Sequence, residues 1–460
     1  MRVIGRHYLS LAVLVFVAIP ITSLASQAPP LNFAKPRPYK WVGEEDWVFS
    51  VAVADLNGDG HLDMVATLSY SGKIAVLLGK GDGSFRRVVK YSPGGSNPGS
   101  VAIADVNGDR KPDILVLDDS GLGVLLGNGD GSFQPPVTYG VYAEVWNGPA
   151  LAVGDLNRDG YPDVAVASGL CSYWSWQEMD SCVNVLYNNG DGTFSPPFEE
   201  DTGGYGVSLA VAIVNGSLIA TANCLDRRCD WMWGTVCIDR WCHHSGGDAP
   251  IALATGDLNG DGYFDIVVAN SGQIWGDSSV GVFLRDSQGT FRRVLYGYGA
   301  EPWSVAIGDM NGDGKPDIVV DGGVLLGKGP GVSFGWVGYN LVLGDLNGDG
   351  KLDVIGTEGT MLNISGFDTT TQITSSLNPS FVNQSVTFTA TVTSNDRLIP
   401  DGELVKFYAG SKLLASVPLS GRTATYTTST LTAETHIIKA KYAGDTRLAP
   451  SAGQIKQLVQ

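Results

Sequence analysis

The sequence predicts an all-β protein, a seven-bladed β-propeller followed by a β-sandwich, and three observations lead there. Short Val, Ala, Ile and Leu runs are cut throughout by Asn-Gly and Asp-Gly dipeptides, with 61 glycines in 460 residues. That is the punctuation of strands joined by tight turns. Long stretches of the chain repeat one strand–loop–strand pattern. From about Asp368 the repeat stops and Thr, Ser and Val take over. So long a chain exceeds one ordinary domain, which places a repeat array at residues 31–366 and a second domain at 368–460.

The first residues are read apart from both. Arg2 and Arg6 precede the apolar run Leu9 to Leu24, and Ser23 and Ala25 supply small residues before a cleavage point. Residues 1–25 are therefore expected to be a secretory signal peptide cut after Ala25. The rival is an N-terminal membrane anchor, against which Pro20 and the shortness of the run argue. No Cys follows the cut, as a lipoprotein would need, and no later segment is long and apolar enough to span a bilayer. A secreted or cell-surface, monomeric protein is expected.

Six segments carry the repeat: VAVADLNGDGHLDMVAT from Val51, VAIADVNGDRKPDILVL from Val101, LAVGDLNRDGYPDVAVA from Leu151, LATGDLNGDGYFDIVVA from Leu253, VAIGDMNGDGKPDIVVD from Val305 and LVLGDLNGDGKLDVIGT from Leu341. Each reads as strand, nine-residue polar loop, strand. A second motif follows most of them, as in VLLGKGDGSF from Val76, VLLGNGDGSF from Val124 and VLYNNGDGTF from Val185; VFLRDSQGTF from Val282 and VLLGKGPGVSF from Val324 are its looser copies. It reads as strand, tight turn, strand, so that one unit is four short antiparallel strands, a propeller blade. Between Asp155 and Asp257 the spacing doubles. SLAVAIVNGSLIATAN from Ser208 fills the gap, its acidic loop shrunk to Val214-Asn215-Gly216-Ser217. Seven units result, six with loops. The last runs out after Met361–Ser365, one strand short, while Leu31–Pro36 resembles the outer-strand segment Gly131–Pro136. The N-terminal segment is therefore expected to complete the last unit and hide the sheet edges.

Each loop reads Asp-x-Asn-x-Asp-Gly-x-x-Asp. Side chains at positions 1, 3, 5 and 9, with the carbonyl of position 7, can converge oxygens on one ion. The candidate ligands are Asp55, Asn57, Asp59, His61 and Asp63; Asp105, Asn107, Asp109, Lys111 and Asp113; Asp155, Asn157, Asp159, Tyr161 and Asp163. In the later units they are Asp257, Asn259, Asp261, Tyr263 and Asp265; Asp309, Asn311, Asp313, Lys315 and Asp317; Asp345, Asn347, Asp349, Lys351 and Asp353. The residue at position 7 would act through its carbonyl. Hard oxygen ligands without His or Cys side chains select Ca²⁺, up to six ions. The alternative is a set of Asn-Gly hairpin turns that bind nothing. The formal charge is −17, and loss of Arg2 and Arg6 with the signal peptide makes it more acidic. Apo loops would hold mutually repelling carboxylates, so Ca²⁺-dependent stability is expected. Arg110 stands where Gly belongs at position 6, which marks that loop as the weakest. Arg158 occupies a variable position and its side chain can point outward. Asn at position 3 points to affinities in the ~10⁻⁴–10⁻³ M extracellular class. Asp82, Asp130 and Asp191 of the second motif lack a position-9 acid and read as ordinary turns.

The strand–DxNxDGxxD–strand pattern followed by GDGSF resembles the FG-GAP/VCBS repeat of integrin α-subunit propellers and many secreted bacterial proteins, over roughly residues 31–366. The resemblance implies seven blades with the Ca²⁺ loops on one face and partners met by the other. Integrin loops are fewer and more often carry Asp at position 3, so the loops of this chain are expected to be structural. In the C-terminal region, PDGELVKFYAG and HIIKAKYAGDTRLAPS resemble the bacterial Ig-like repeat of cell-surface proteins, which implies a spacing or docking role.

The six cysteines, Cys171, Cys182, Cys224, Cys229, Cys237 and Cys242, admit fifteen pairings, of which nearest neighbours are the simplest. A zinc site drawn from them with His243 and His244 is the rival. Two long loops concentrate aromatics: Tyr173, Trp174 and Trp176 in one, Trp231, Trp233 and Trp241 with His243 in the other. Both are expected on the face away from the acidic loops, as candidate ligand-binding residues. Trp47, Trp146, Trp303 and Trp336 precede innermost strands. The alternative for all of them is packing between blades. No nucleophile elbow, HExxH motif or phosphate loop is present, and the acidic balance excludes nucleic acid. The sequence thus favours a secreted binding or adhesion protein with an extracellular protein or polysaccharide as partner. A polysaccharide lyase or hydrolase using His243, His244, Glu178, Asp180 or Asp226 is the second function, and a purely structural surface protein the third.

Overall fold

The computed structural model describes residues 31–39, 46–141, 150–170, 180–205, 207–214, 218–224, 234–238, 241–272, 278–297, 301–326, 332–333, 337–366, 369–394, 399–445 and 448–460. Among them every strand or helix assigned is a strand, and no helix is long and apolar enough to cross a membrane. The signal-peptide segment lies outside the described residues.

The first unit shows why the sequence folds as it does. Val48–Ala54, Asp63–Leu68, Lys73–Leu77 and Val89–Tyr91 pair antiparallel in chain order. The second strand, DMVATL, is buried at every position, as are its counterparts DILVLD and DIVVAN. A sheet with one face in water alternates apolar and polar residues; a sheet covered on both faces carries continuous apolar runs. The same four-stranded antiparallel order recurs seven times between residues 37 and 361. Both innermost strands of the fourth unit are present, Val207–Val214 paired with Leu218–Cys224; its shortened loop, residues 215–217, lies outside the described residues.

The innermost strand of each sheet neighbours that of the next, and the seventh neighbours the first. The hydrophobic core is consequently a series of seams between successive sheets. Ala52, Val65 and Ile74 of the first unit meet Val101, Ile103 and Ile114 of the second. Ala306, Met310 and Val319 of the sixth meet Leu341 and Val354 of the seventh. Val51 and Met64 of the first meet Leu346, Ile355 and Leu362 of the seventh, so the last seam is packed like the others.

The N-terminal segment supplies the outer strand of the seventh sheet. Arg37–Pro38 pairs antiparallel with Gly359–Met361, and Phe33 bridges Asn363. The N–H of Ala34 donates to the carbonyl of Leu362 at 2.9 Å, and that of Ile364 to the carbonyl of Asn32 at 2.9 Å. The contact begins in the segment that the sequence indicates and runs on to Pro38. It satisfies backbone groups that an open edge would leave to other chains.

The C-terminal domain is two sheets on one core. Thr370–Ser375, Val386–Thr393 and Thr423–Thr428 form one; Lys412–Pro418, Leu404–Ala409, Thr435–Tyr442 and Ser451–Leu458 form the other. Phe388 and Val392 from the first pack with Val405, Phe407, Ile438 and Tyr442 from the second. Burial alternates along Val386–Thr393, matching the alternation in its sequence.

A chain starting at Tyr39 lacks the outer strand and exposes the Gly359–Met361 edge. It is expected to unfold at a lower temperature than the full chain and to associate in a concentration-dependent way. Calorimetry and size-exclusion chromatography check this; identical behaviour would show the pairing to be dispensable.

Candidate functional site

Each acidic loop is shaped by its own side chains. In the first, Asp55 Oδ1 accepts the N–H groups of Gly58 at 2.7 Å and Asp59 at 3.2 Å, and Oδ2 accepts that of Gly60 at 2.8 Å. Asn57 Oδ1 accepts the N–H of Asp59 at 2.8 Å, and Asp59 Oδ1 that of His61 at 3.0 Å. These are successive Asx turns. The pattern recurs at Asp105, Asp155, Asp257, Asp309 and Asp345. It brings positions 3 and 5 together: Asn157 Nδ2 donates to Asp159 Oδ2 at 2.9 Å, and Asn259 Nδ2 to Asp261 Oδ2 at 3.0 Å.

Position 9 does something the sequence does not announce. Asp63 is fully buried; its Oδ2 accepts the N–H of Leu56 at 2.9 Å and its Oδ1 that of Gly79 at 2.7 Å. Asp113 holds Val106 and Gly127 in the same way, Asp163 holds Leu156 and Asn188, Asp265 holds Leu258 and Arg285, and Asp353 holds Leu346 and Asn363. Asp317 accepts the N–H of Met310 at 3.0 Å. The carboxylate fastens the start of its own loop to the strand 3–4 turn of its own unit. Among the described residues no three His, Cys, Asp or Glu side chains gather as a metal cluster. The donors left in each loop are two carboxylates, an amide oxygen and a backbone carbonyl. That set is all hard oxygen and suits Ca²⁺ chemistry, and beside it the position-9 carboxylate is bonded to backbone N–H groups.

Burial raises the position-9 carboxyls, Asp113 and Asp265 to about 6 and Asp353 to about 7; the loop carboxylates at positions 1 and 5 push the same way, against the pull of the two N–H donors. The position-2 peptide faces both ways. Its N–H goes to position 9, and its carbonyl accepts from the following unit. Gly131 N–H donates to Leu56 O at 3.1 Å, Asn188 Nδ2 to Val106 O at 2.9 Å and Asn363 Nδ2 to Met310 O at 2.7 Å. Gly83 N–H of the first unit reaches Leu346 O of the seventh at 3.1 Å.

Arg110 has φ 65° and Arg158 φ 64°. Position 4 is as left-handed as position 6: Gly58, Gly108 and Gly260 at position 4 have φ of 74°, 75° and 77°, and Gly60 and Gly262 at position 6 have 82° and 87°. Both arginines sit where an L side chain is strained, so an outward-pointing side chain does not spare Arg158. The second Asp-Gly set behaves as hairpin turns. Asp82, Asp130 and Asp191 each accept the N–H and the hydroxyl of Ser84, Ser132 and Thr193, and the hydroxyl bond lowers each carboxyl.

In the fourth unit Cys237 and Cys242 form a disulfide across Thr235–Ile238 and Trp241–His244, as nearest-neighbour pairing predicts, and this removes both thiolates from the zinc alternative. Cys182 is also disulfide-bonded; Cys171 and Cys229 lie outside the described residues. Trp241 is 77% exposed. Ile238 pairs with Ala220 and Val214 with Leu218, so the hairpin carrying Trp241 turns at the end of the sheet where the other units hold acidic loops. This corrects its expected place on the opposite face. His243 packs beside Phe283 and Phe291. His244 accepts the N–H of Gly246 at Nδ1, and its carbonyl accepts from Arg293. Trp174, Trp176, Trp231, Trp233, Trp146, Trp336, Tyr173, Glu178 and Asp226 lie outside the described residues.

At the other end of the sheets, before the innermost strands, aromatics reach the surface in three successive units. Trp303 of the sixth packs edge-on to Tyr339 of the seventh, with centroids 5.6 Å apart. Asn340 Nδ2 donates to the carbonyl of Phe49, and Trp47 of the first unit stacks at 20° on Phe49 with centroids 5.9 Å apart. Trp47 is 51% and Tyr70 74% exposed, and the two are neighbours because the N–H of Ser69 donates to Trp47 O. Asp321 anchors Trp303 by accepting its N–H and that of Ser304; burial raises this carboxyl to about 6. Tyr70, Tyr339 and Asp321 were missed from sequence. Aligning the units would have shown Asp321, which stands where the first and seventh carry Thr67 and Thr357.

Comparison with known families places FG-GAP-like repeats at residues 55–116, 105–166 and 257–320 and a bacterial Ig-like domain (group 3) at 373–460. No curated protein matches the chain. Among solved structures, similarity extends to an Agrocybe aegerita lectin described as recognising non-reducing terminal N-acetylglucosamine (18% identity, 83% of this chain and 86% of that chain, TM-score 0.34). It extends also to the extracellular domain of a putative one-component system from B. thetaiotaomicron (9%, 93% and 59%, TM-score 0.47) and to a V. cholerae biofilm matrix protein (14%, 94% and 71%, TM-score 0.36).

Arg110→Gly and Arg158→Gly relieve left-handed strain at the cost of chain entropy, and each is expected to stabilise the protein by about 0.5–1 kcal/mol. Denaturant titration reads this, and a destabilising change at either position would contradict the strain. Asp321 has a folded pKa of about 6, above its unfolded value of about 3.9. The folded state then binds more protons between those values, so stability falls as pH rises through that window. Asp321→Asn keeps an acceptor for both N–H groups and is expected to flatten its share of the slope. Parallel pH profiles of the two proteins would refute it.

Proposed function

Starting from a chain of FG-GAP-like repeats with a C-terminal bacterial Ig-like domain, we propose a secreted, calcium-stabilised, seven-bladed β-propeller that binds a glycan or protein partner outside the cell. The observation that carries the binding function is the aromatic arc of exposed Trp47, Tyr70 and Trp303 with half-buried Tyr339, at the end opposite the acidic loops. One face of the Trp47 indole rests on Phe49 and the ring is half exposed. A rigid ring that is already packed loses little entropy on contact and suits stacking against a sugar ring or an aromatic side chain. The seven four-stranded sheets, the packed seam between the seventh and first and the N-terminal outer strand support a closed ring.

The calcium role follows from the loops. Their oxygen donors are fixed by Asx turns, and the position-9 carboxyl is raised first by burial and then by the carboxylates at positions 1 and 5. Ca²⁺ would be held by the side chains of positions 1, 3 and 5 with the carbonyl of position 7, and would supply charge neutralisation. With His243 packed among phenylalanines, the binding role has more behind it than the hydrolase or lyase alternative.

Two measurements test this. At 10 mM Ca²⁺, affinities of ~10⁻⁴–10⁻³ M correspond to roughly 1–3 kcal/mol per filled site, so EDTA is expected to lower the unfolding midpoint; no shift would sink the calcium role. On an array of neutral and charged oligosaccharides, Trp47→Ala and Trp303→Ala are each expected to weaken binding by roughly tenfold or more. Undiminished binding by both variants would move the partner site elsewhere.

A further inference from the structure

Five of the six acidic loops present the residue at position 7 to solvent at least in part: His61, Lys111, Tyr161, Tyr263 and Lys315. Lys351, in the seventh unit, is 5% exposed. The contrast with the second loop is direct. There Lys111 Nζ lies 3.4 Å from Asp109 Oδ2 with both side chains open, 45% and 35% exposed. In the seventh loop Lys351 Nζ lies 3.9 Å from Asp349 Oδ2, and the exposures are 4% and 9%. Among the described residues Lys351 Nζ has no hydrogen-bond partner.

The cause is where the chain goes next. In the first three units the position-7 side chain lies over a glycine of its own second motif, His61 against Gly81, Lys111 against Gly129 and Tyr161 against Gly190. The seventh unit has no such turn. Its chain leaves through Asn363–Gly366, and Gly366 lies against the backbone of Leu448 and Ala449. Asp445, three residues before Leu448 and bonded to its N–H, acts electrostatically on Lys351 together with Asp349, Asp353 and Asp345.

We propose that the seventh acidic loop is the docking seat of the C-terminal domain and not a divalent-cation site, its carboxylates compensated by the enclosed Lys351 ammonium, which Asp445 shares across the junction. A lysine at position 7 of an open loop swings into water when a divalent ion arrives. Lys351 has nowhere to swing, so an ion entering this loop would sit beside a second, trapped positive charge in poorly screened surroundings. Calcium then fills at most five loops, and the sixth set of carboxylates ties the domains together.

The count rests on the calcium function proposed above, and the experiment keeps the two apart. Native mass spectrometry of the full chain in millimolar Ca²⁺ is compared for the wild type, Asp309→Asn and Asp345→Asn. Asp309→Asn is expected to lose one ion and Asp345→Asn none; loss of an ion in Asp345→Asn overturns the proposal. A wild type that binds no Ca²⁺ overturns the calcium function, and the seat is then judged by a double-mutant cycle. Lys351→Met and Asp445→Asn are expected to be coupled by roughly threefold or more in the unfolding constant at low salt, while Lys315→Met and Asp445→Asn add. Additive effects of Lys351→Met and Asp445→Asn overturn the seat whatever the ion count.

Discussion

A buried carboxylate bonded to backbone N–H groups is what the units with acidic loops are built around. Hydrogen bonds to a charged acceptor contribute more than neutral ones, about 1.5–3 kcal/mol each, and an N–H left unpaired in the same place would cost about as much. Asp63 and its counterparts Asp113, Asp163, Asp265 and Asp353 join the position-2 peptide of the loop to the strand 3–4 turn of the same sheet. Once that peptide is fixed, its carbonyl is fixed too and points to the following unit. One side chain therefore sets geometry within a sheet and between sheets. Charge repulsion from positions 1 and 5 strains the arrangement, which gives a cation at those positions something to relieve.

The fourth unit is the exception that shows what the clamp supplies. It has no position-9 acid in its sequence, and its 3–4 hairpin is joined instead by Cys237–Cys242. The covalent link spans directly opposed residues, so it fixes the hairpin without reaching the inner strands as Asp63 does. Apolar packing carries the rest: Ala210, Val214, Ala220 and Val236 pack with Leu253, Ile266 and Phe283 of the fifth unit. A seam can thus be held by side-chain packing with a few hydrogen bonds, such as Thr255 to Ile213 and Arg293 to His244, where the position-9 acid is missing.

Much of this was legible in the sequence because repeats turn pattern into count. The doubled spacing between Asp155 and Asp257 located a unit without a loop, and the likeness of Leu31–Pro36 to an outer-strand segment located the closing strand. What the sequence could not separate was ligand from strut. An aspartate nine residues into a loop looks the same whether it faces an ion or two amide N–H groups, and only burial distinguishes them. The strain at Arg158 was missed for a related reason, since backbone sign at position 4 is invisible when most copies carry glycine. Trp241 was placed at the wrong end because an unusual stretch hid which of its residues continue the ordinary hairpin. Lys351 looks identical to Lys111 and Lys315 in the sequence, and only its burial in the fold sets it apart.

The two ends of the sheets are electrostatically separate. Innermost strands of three to eight residues span roughly 10–26 Å, beyond the screening length of about 8 Å at physiological salt. A partner at the aromatic end therefore feels little of the field of the acidic loops. Whatever a cation does for binding has to travel through the framework, by stiffening the loop-to-turn clamps that align the strands. Trp47 and Trp303 stand at the far ends of those strands, and Asp321 adds a local anchor for Trp303. Their orientation depends on strand alignment, so loosening the clamps costs a partner the fixed spacing of the rings before it costs the rings themselves.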